Sequence, residues 1–469
     1  MCCAISAAWN GWWPYAEAPA YTRCAARLPA AVRMYCGNAR APHDHACAGG
    51  FRTFAASGKD PDACGNACAV WTESGRLVVF CCWAPSPMPA PTPQTATIGF
   101  LGDILIMQTQ VQNAKQADGT YDFSGSFAPM EALFAETGAV CVNFEGAMAG
   151  AEAGYSEPRP TAPPPTEADP TPKQPYQTFN APDTLAQALA AAGVDLVSTA
   201  NNHCLDRGYD GLLRTAETLR AAGLLQSGAY RSEEDRFTPR ILAVNGIRIG
   251  VVSATESVNR NDALIPSESR GFAVSRLSEE EQLAREIASC REAGAEFIIA
   301  FVHWGVEFEA EANSRQKKTA RRLVSAGADA VVGSHPHVVQ PVEWIEAERS
   351  GELMRAPVLY SLGNFVSNMS KPDTEYGMFA RLRLLRGADG AVSCTAVEYL
   401  PVLCLRQKLA DGRTLHQAVP CYADVALSKA AVPLDADARE EIEACYAHVA
   451  DAVGTDAANL IEWSESDAQ

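Results

Sequence analysis

Four times the chain repeats one phrase: a helix-like stretch, a glycine, a short apolar run, then polar residues able to bind metal. The copies pass through Thr137-Gly138 to Asn143-Phe144-Glu145, and through Ala192-Gly193 to Asn201-Asn202-His203. The other two pass through Ala293-Gly294 to His303-Trp304-Gly305, and through Ala326-Gly327 to Ser334-His335-Pro336-His337. A fifth relative, Thr95 to Gly102-Asp103, has the strand and the acid without the preceding helix. Each glycine suits the left-handed position just past a helix. Each run has the length and the Val, Ile, Ala and Phe content of a buried strand. Such a rhythm predicts an α/β fold in which loops at the carboxyl ends of the strands gather into one crevice. Asp103, Glu145, Asn202, His203, His303, His335 and His337 are thereby sent toward one place.

With 469 residues there is ample chain for a large core. The formal charge of −18 excludes a nucleic-acid backbone as the expected partner. An anionic substrate would need local positive charge, for which metal ions are the natural source. No apolar run reaches the roughly 18 residues of a spanning helix, and no signal peptide is evident at the N-terminus. Nine of the sixteen cysteines precede residue 96. Cys64 and Cys68 with His43 and His45 invite a zinc-module reading, but the spacing is not that of a regular zinc ribbon. The expectation for residues 1–83 is a Cys- and Trp-rich, poorly ordered extension. Cys81, preceded by Leu77 to Phe80, leaves lipid attachment and membrane association open.

Residues 84–95 read as a Pro-rich linker, and the main domain is expected over 96–405. A second Pro-rich stretch, 158–175, reads as a surface loop able to act as a flap. Helices are predicted over 182–192, 209–222, 278–293 and 314–326. Asn245-Gly246 between two apolar runs predicts a tight hairpin. Strands are expected over 379–385 and 392–402, with one helix over 436–453 in a C-terminal extension, 406–469.

His335 and His337 would lie on the same side of an extended segment, since side chains alternate there. With Asp103, Glu145, Asn202 and His303 they form a mixed nitrogen and oxygen set that suits Mn, Fe or Zn better than Ca or Mg. His203 is the candidate catalytic acid or orienting group outside the metals. Asp206 is either its partner or a local turn former. Ser361 and Asn364 either line the crevice or form a tight structural turn. Trp304 either walls the site or fills the core.

These motifs, with Gly99 to Asp103, Phe301 to Glu307, Gly333 to Pro341 and Tyr360 to Phe365, resemble those of the bacterial CapA family of capsule and poly-γ-glutamate synthesis proteins. That family is similar to the calcineurin-like metallophosphoesterases. The resemblance implies a two-sheet α/β sandwich holding a metal site, with Asp103 and Glu145 in its acidic motifs, Asn202-His203 in its Asn-His motif, and His303, His335 and His337 as nitrogen ligands. It implies a cell-surface or extracellular location, and a polyanionic polymer or its synthase complex as partner. Leu105 stands where the superfamily has a further histidine, and Glu145 where it has an aspartate, so one or two divalent ions are implied. Three functions follow: a metal-dependent hydrolase, a non-catalytic polymer-binding accessory subunit, or a cytoplasmic small-molecule phosphoesterase.

Because the first strand of the repeated pattern starts only near Thr95, a chain beginning at Gln94 should unfold cooperatively and keep its metal. Thermal denaturation followed by circular dichroism checks this; a broad, non-cooperative melt would place the N-terminal residues in the fold.

Overall fold

Hydrophobic alternation decides how the strands of this chain stack. A computed structural model describes residues 51–53, 67–71, 77–82, 94–156, 177–421, 436–454 and 457–461. The Pro-rich stretch 158–175, the linker through residue 93 and much of the first 83 residues fall outside them. Two units are present, Met1–Thr92 and Pro93–Gln469. In the first, where poor order is expected, the described residues form an antiparallel sheet of β1 (Phe51–Thr53), β2 (Ala67–Trp71) and β3 (Leu77–Cys82), with β3 central.

The second unit opens with β4 (Gln94–Ile104), which pairs in parallel with β5 (Val140–Phe144). β6 (Leu196–Ser198) and β7 (Leu225–Ser227) extend that parallel set. The chain then builds a second, six-stranded sheet from β8 (Ile241–Val244), β9 (Ile247–Thr255), β10 (Phe297–His303), β11 (Ala330–Ser334), β12 (Val342–Arg349) and β13 (Glu352–Leu359). It returns to the first sheet with β14 (Asn364–Val366), β15 (Tyr376–Arg386), β16 (Val392–Lys408), β17 (Thr414–Pro420) and β18 (Asn459–Leu460), making that sheet nine-stranded. β9, β10 and β11 are parallel, so their carboxyl ends face the same way. This is the α/β architecture of two mixed sheets expected from the sequence.

Side chains alternate across each strand, and here both faces are apolar. Ile98 and Phe100 of β4 meet Ile249 of β9 and Phe297, Ile299 and Phe301 of β10 in one cluster between the sheets. Phe100 and Phe301 meet edge to face across this layer, centroids 5.3 Å apart, an arrangement the ring quadrupoles favour. On the outer face of the larger sheet, Val140 and Val142 pack on Leu185 and Leu189 of helix Thr184–Ala192. Outside the smaller sheet, Ile298, Ala300 and Val302 pack on helices Glu280–Glu292 and Ser314–Ala326. The latter starts with a capping box between Asn313 and Gln316, satisfying two otherwise orphaned donors. The unit is thus layered helix, sheet, sheet, helix.

Gly193, Gly294 and Gly327 have positive φ, as helix-ending glycines should. Gly138 does not: a Cβ there would meet Val244 Cγ1 at 2.2 Å, so its role is to let β8 approach. Asn245 and Gly246 both have positive φ and close the β8–β9 hairpin, as their turn chemistry predicts. The segment after residue 405 is not an appendage. β16 runs on to Lys408 and pairs with β17, and Ile442, Cys445 and Val449 of helix Ala436–Val453 join the inter-sheet cluster.

Phe301→Ala should remove the ring that joins the two sheets, costing about 3–5 kcal/mol. Equilibrium urea unfolding would show this as a lower midpoint with little change in slope.

Candidate metal centre

Strand ends place the polar residues. Asp103 is the last residue but one of β4 and follows Gly102, where the β4–β5 register shifts. A side chain at 102 would lie 1.8 Å from the Gly363 carbonyl oxygen, so only glycine lets β4 pass the turn before β14. Glu145 follows β5, Asn202 and His203 follow β6, His303 ends β10, and His335 follows β11. The two sheets therefore contribute ligand-type side chains to one centre from opposite sides.

Around Glu145 Oε1 stand His303 Nε2 at 3.6 Å, His203 Nε2 at 3.8 Å and His337 Nε2 at 3.9 Å. Asp103 lies 3.7 Å from His303 Nδ1 and 3.3 Å from His337 Nδ1. His303 Nε2 is also 2.9 Å from Asn202 Oδ1 and 3.0 Å from His335 Nδ1. Both carboxylates are fully buried, and neither oxygen of Glu145 has a hydrogen-bond partner. A buried carboxylate with no donor is costly, and a cation would remove that cost. Two sets of ligand atoms lie within 4.8 Å of one another: Asp103, Glu145 and His303, and Glu145, His335 and His337. Glu145 belongs to both, the place of a bridging carboxylate. The residues fit one or two divalent ions with nitrogen and oxygen preferences.

Burial pushes the Asp103 carboxyl up, yet its hydrogen bond with His337 and the imidazoles of His303 and His337 hold it below the ordinary carboxylate value. Glu145 is likewise held low against burial by His337 and His303. Burial, joined by His303, keeps His335 well below the usual imidazole value. His337 resists burial through Glu145 and Asp103 and is raised to about 9. The centre thus favours ionised carboxylates, the form that binds metal.

His335 and His337 do not meet by strand alternation. Their φ angles are 104° and 61°, and left-handed backbone at residues with a Cβ costs on the order of 1–3 kcal/mol each. A turn, not an extended segment, presents the two rings. His203 is oriented by Asp206, Nδ1 to Oδ2 2.8 Å, and Asp206 in turn accepts from the Phe179 amide. Asn364 Oδ1 lies 3.0 Å from His337 Nδ1. Ser361 donates to the Val338 carbonyl and accepts from the Gly363 amide, a turn role. Trp304 is in the core, donating to the Tyr360 carbonyl and stacked on that ring.

Asn143 and Ser334 were not singled out from sequence. Asn143 donates to Asp103 at 2.7 Å, and Ser334 Oγ lies 3.0 Å from His303 Nδ1. Both orient residues of the centre, the part that such outer contacts play at metal sites. Asn143 stands two residues before Glu145, so spacing alone could have marked it. The centre opens into a cavity of about 440 Å³, lined by Leu105, His203 and His337 together with Phe179, Gln177, Met369 and Glu307. Ser257, Asn259 and Arg260, from the loop after β9, complete that lining.

The profile of the bacterial capsule synthesis protein family PGA_cap matches residues 97–369. The capsule biosynthesis protein CapA of Bacillus anthracis is 29% identical over 191 residues, 40% of this chain and 44% of that protein. The PGA biosynthesis protein CapA of Bacillus subtilis is 26% identical over 209 residues, 43% of this chain and 50% of that protein. A Mycobacterium tuberculosis protein, named a "probable polyglutamine synthesis accessory protein", is 26% identical over 204 residues, 42% of this chain and 52% of that one. The chain spans about half the length of these relatives. The matched segment runs from within β4 through β14 and contains every residue of the centre, and the chain belongs to the bacterial capsule synthesis protein family PGA_cap.

Proposed function

We propose that this protein acts in the synthesis or processing of a capsular polymer of the poly-γ-glutamate kind, as a metal-dependent hydrolase at the cell surface. One observation carries the hydrolase reading: Glu145, buried and without a donor, is shared by two ligand sets and lies next to His203 and His337, which line a cavity. Divalent ions held by Asp103, Glu145, His303, His335 and His337 would neutralise charge on the reacting group and lower the pKa of water.

The chain's own groups supply the rest. The Asp206 carboxylate holds His203 by Nδ1, which leaves Nε2 on the side of Glu145 and the cavity. Burial lowers the pKa of His203, but Asp206 and Glu145 outweigh it and raise the ring above its ordinary value. A proton held at Nε2 suits a general acid working on a leaving group. The Phe179 ring, 4.6 Å from the imidazole, screens it from water. Leu105 gives the cavity an apolar wall where a further nitrogen would otherwise stand.

A second reading is a polymer-binding accessory subunit without catalysis, favoured by this same Leu105, which leaves one ligand fewer than two fully coordinated ions would use. A phosphoesterase acting on small molecules in the cytoplasm remains a third assignment, separated from the first by fractionating cells. Among the described residues, no helix is long and apolar enough to cross a membrane.

Metal analysis and assay together separate these readings. H335A and H337A should each lower bound metal per chain, whereas H203A should keep it and lose about 10²–10⁴-fold in rate on γ-glutamyl polymer or a chromogenic phosphodiester. L105H should tighten the weaker metal position. Equal metal in the wild type and H337A would remove the metal-centre reading; full metal with no hydrolysis of either substrate would leave the accessory role.

A further inference from the structure

Among the described residues that line the cavity beside the centre, Arg260 is the one arginine, and there is no lysine. The chain carries a formal −18, and many of its arginines are neutralised by carboxylates, among them Arg236, Arg240, Arg276, Arg315, Arg349 and Arg386. Arg260 is exposed and has no carboxylate partner among the described residues. In so acidic a protein, an unpaired guanidinium that lines the same cavity as His203 and His337 is free to take another anion.

Its backbone is strained for the purpose. Asn259 and Arg260 have φ of 52° and 62°, and arginine, unlike asparagine, has no local hydrogen bond that favours that region. The loop is fastened on both sides. Val258 and Ile265 are buried in one small cluster, the Asn259 amide donates to Ser257 Oγ at 3.0 Å, and Asp262 pairs with Arg276 at 3.0 Å. Strain kept in a pinned loop fits a binding role better than a passive one.

A second cation, Lys371, is linked to the centre through the Phe308 ring. Lys371 Nζ lies 5.9 Å from the Phe308 ring centroid, within reach of cation–π attraction. The Phe308 ring is in turn 6.1 Å from that of His337. Phe308 is itself exposed, with φ of 65°, and Lys371 has no carboxylate partner among the described residues. Glu307, Gln177 and Asn259 in the cavity lining supply acceptors for amide N–H groups, which an amide-linked acidic chain offers beside its carboxylates.

We infer that Arg260 and Lys371 are specificity-determining residues that bind carboxylates of an acidic, amide-linked chain as it crosses the metal centre. This deepens the proposed function and rests on its polymer reading, though not on catalysis.

Isothermal titration of the full-length, metal-loaded protein with a short γ-linked glutamate oligomer, and with its neutral carboxamide counterpart, tests it. R260E and K371E should each weaken binding of the acidic oligomer on the order of tenfold or more, since each removes a charge-assisted contact. R260K should fall between wild type and R260E, because lysine keeps the charge but not the planar fork. R439E makes the same charge change on the C-terminal helix, outside the cavity lining, and should shift binding less than about twofold. Melting temperature and metal content should match wild type in all four variants. If wild type prefers the acidic oligomer while R260E and K371E behave like R439E, the inference is overturned and the polymer reading stands. If wild type shows no preference for the acidic oligomer, the polymer reading itself fails and takes the inference with it.

Discussion

Two carboxylates without access to water organise this molecule. Asp103 and Glu145 are both fully buried, and the desolvation of two such ions is of several kcal/mol each even after relaxation. A fold can carry that cost only by surrounding the pair with donors or cations. Asp103 has its donors, from Asn143 and the His335 amide. Glu145 has imidazoles at 3.6–3.9 Å, too far for good hydrogen bonds but well placed to share an ion with it. The strand ends, the left-handed turn at His335 to His337 and the close backbone passage at Gly102 all serve that arrangement. Without a cation the arrangement is costly; with one, each of these features has a reason.

Much of this was legible before any coordinates, because the chain repeats one structural phrase. Helix, glycine, buried strand and polar loop define a parallel set whose carboxyl ends converge. The same phrase gathered Asp103, Glu145, Asn202, His203, His303, His335 and His337 around one point. The helix over 314–326 and the Asn245-Gly246 hairpin were equally visible, since capping and turn chemistry are local. Gly138 was misread: its neighbour is Val244 of the other sheet, and contacts so distant in sequence leave no local trace.

The same limit accounts for the other omissions. β17 has only a few residues and no strong alternation, and it is a strand because β16 offers it a partner. His335-Pro336-His337 was expected to be extended, but its backbone follows the demand of the site rather than intrinsic preference. The buried Arg236 and Glu286, joined at 2.8 Å with Ser275 and Tyr230 also on the carboxylate, pin the passage from the first sheet to the second. Nothing in the periodicity of either segment announces that network. The loop after β9 escaped notice because its polar residues follow a strand entered from a hairpin turn rather than from a helix.

The centre draws Asp103 and Glu145 from the nine-stranded sheet and His303 and His335 from the six-stranded one. Any ion bound there is therefore a rivet through both halves of the sandwich, and unfolding either sheet must release it. Occupancy would become part of the conformational stability, adding about 2.7 kcal/mol when free metal is a hundredfold above its dissociation constant. Since the same ligands must shed protons to bind, acid and metal scarcity act on the fold in the same direction. An occupied centre would in this way tie the persistence of the folded protein to the mineral content of its surroundings.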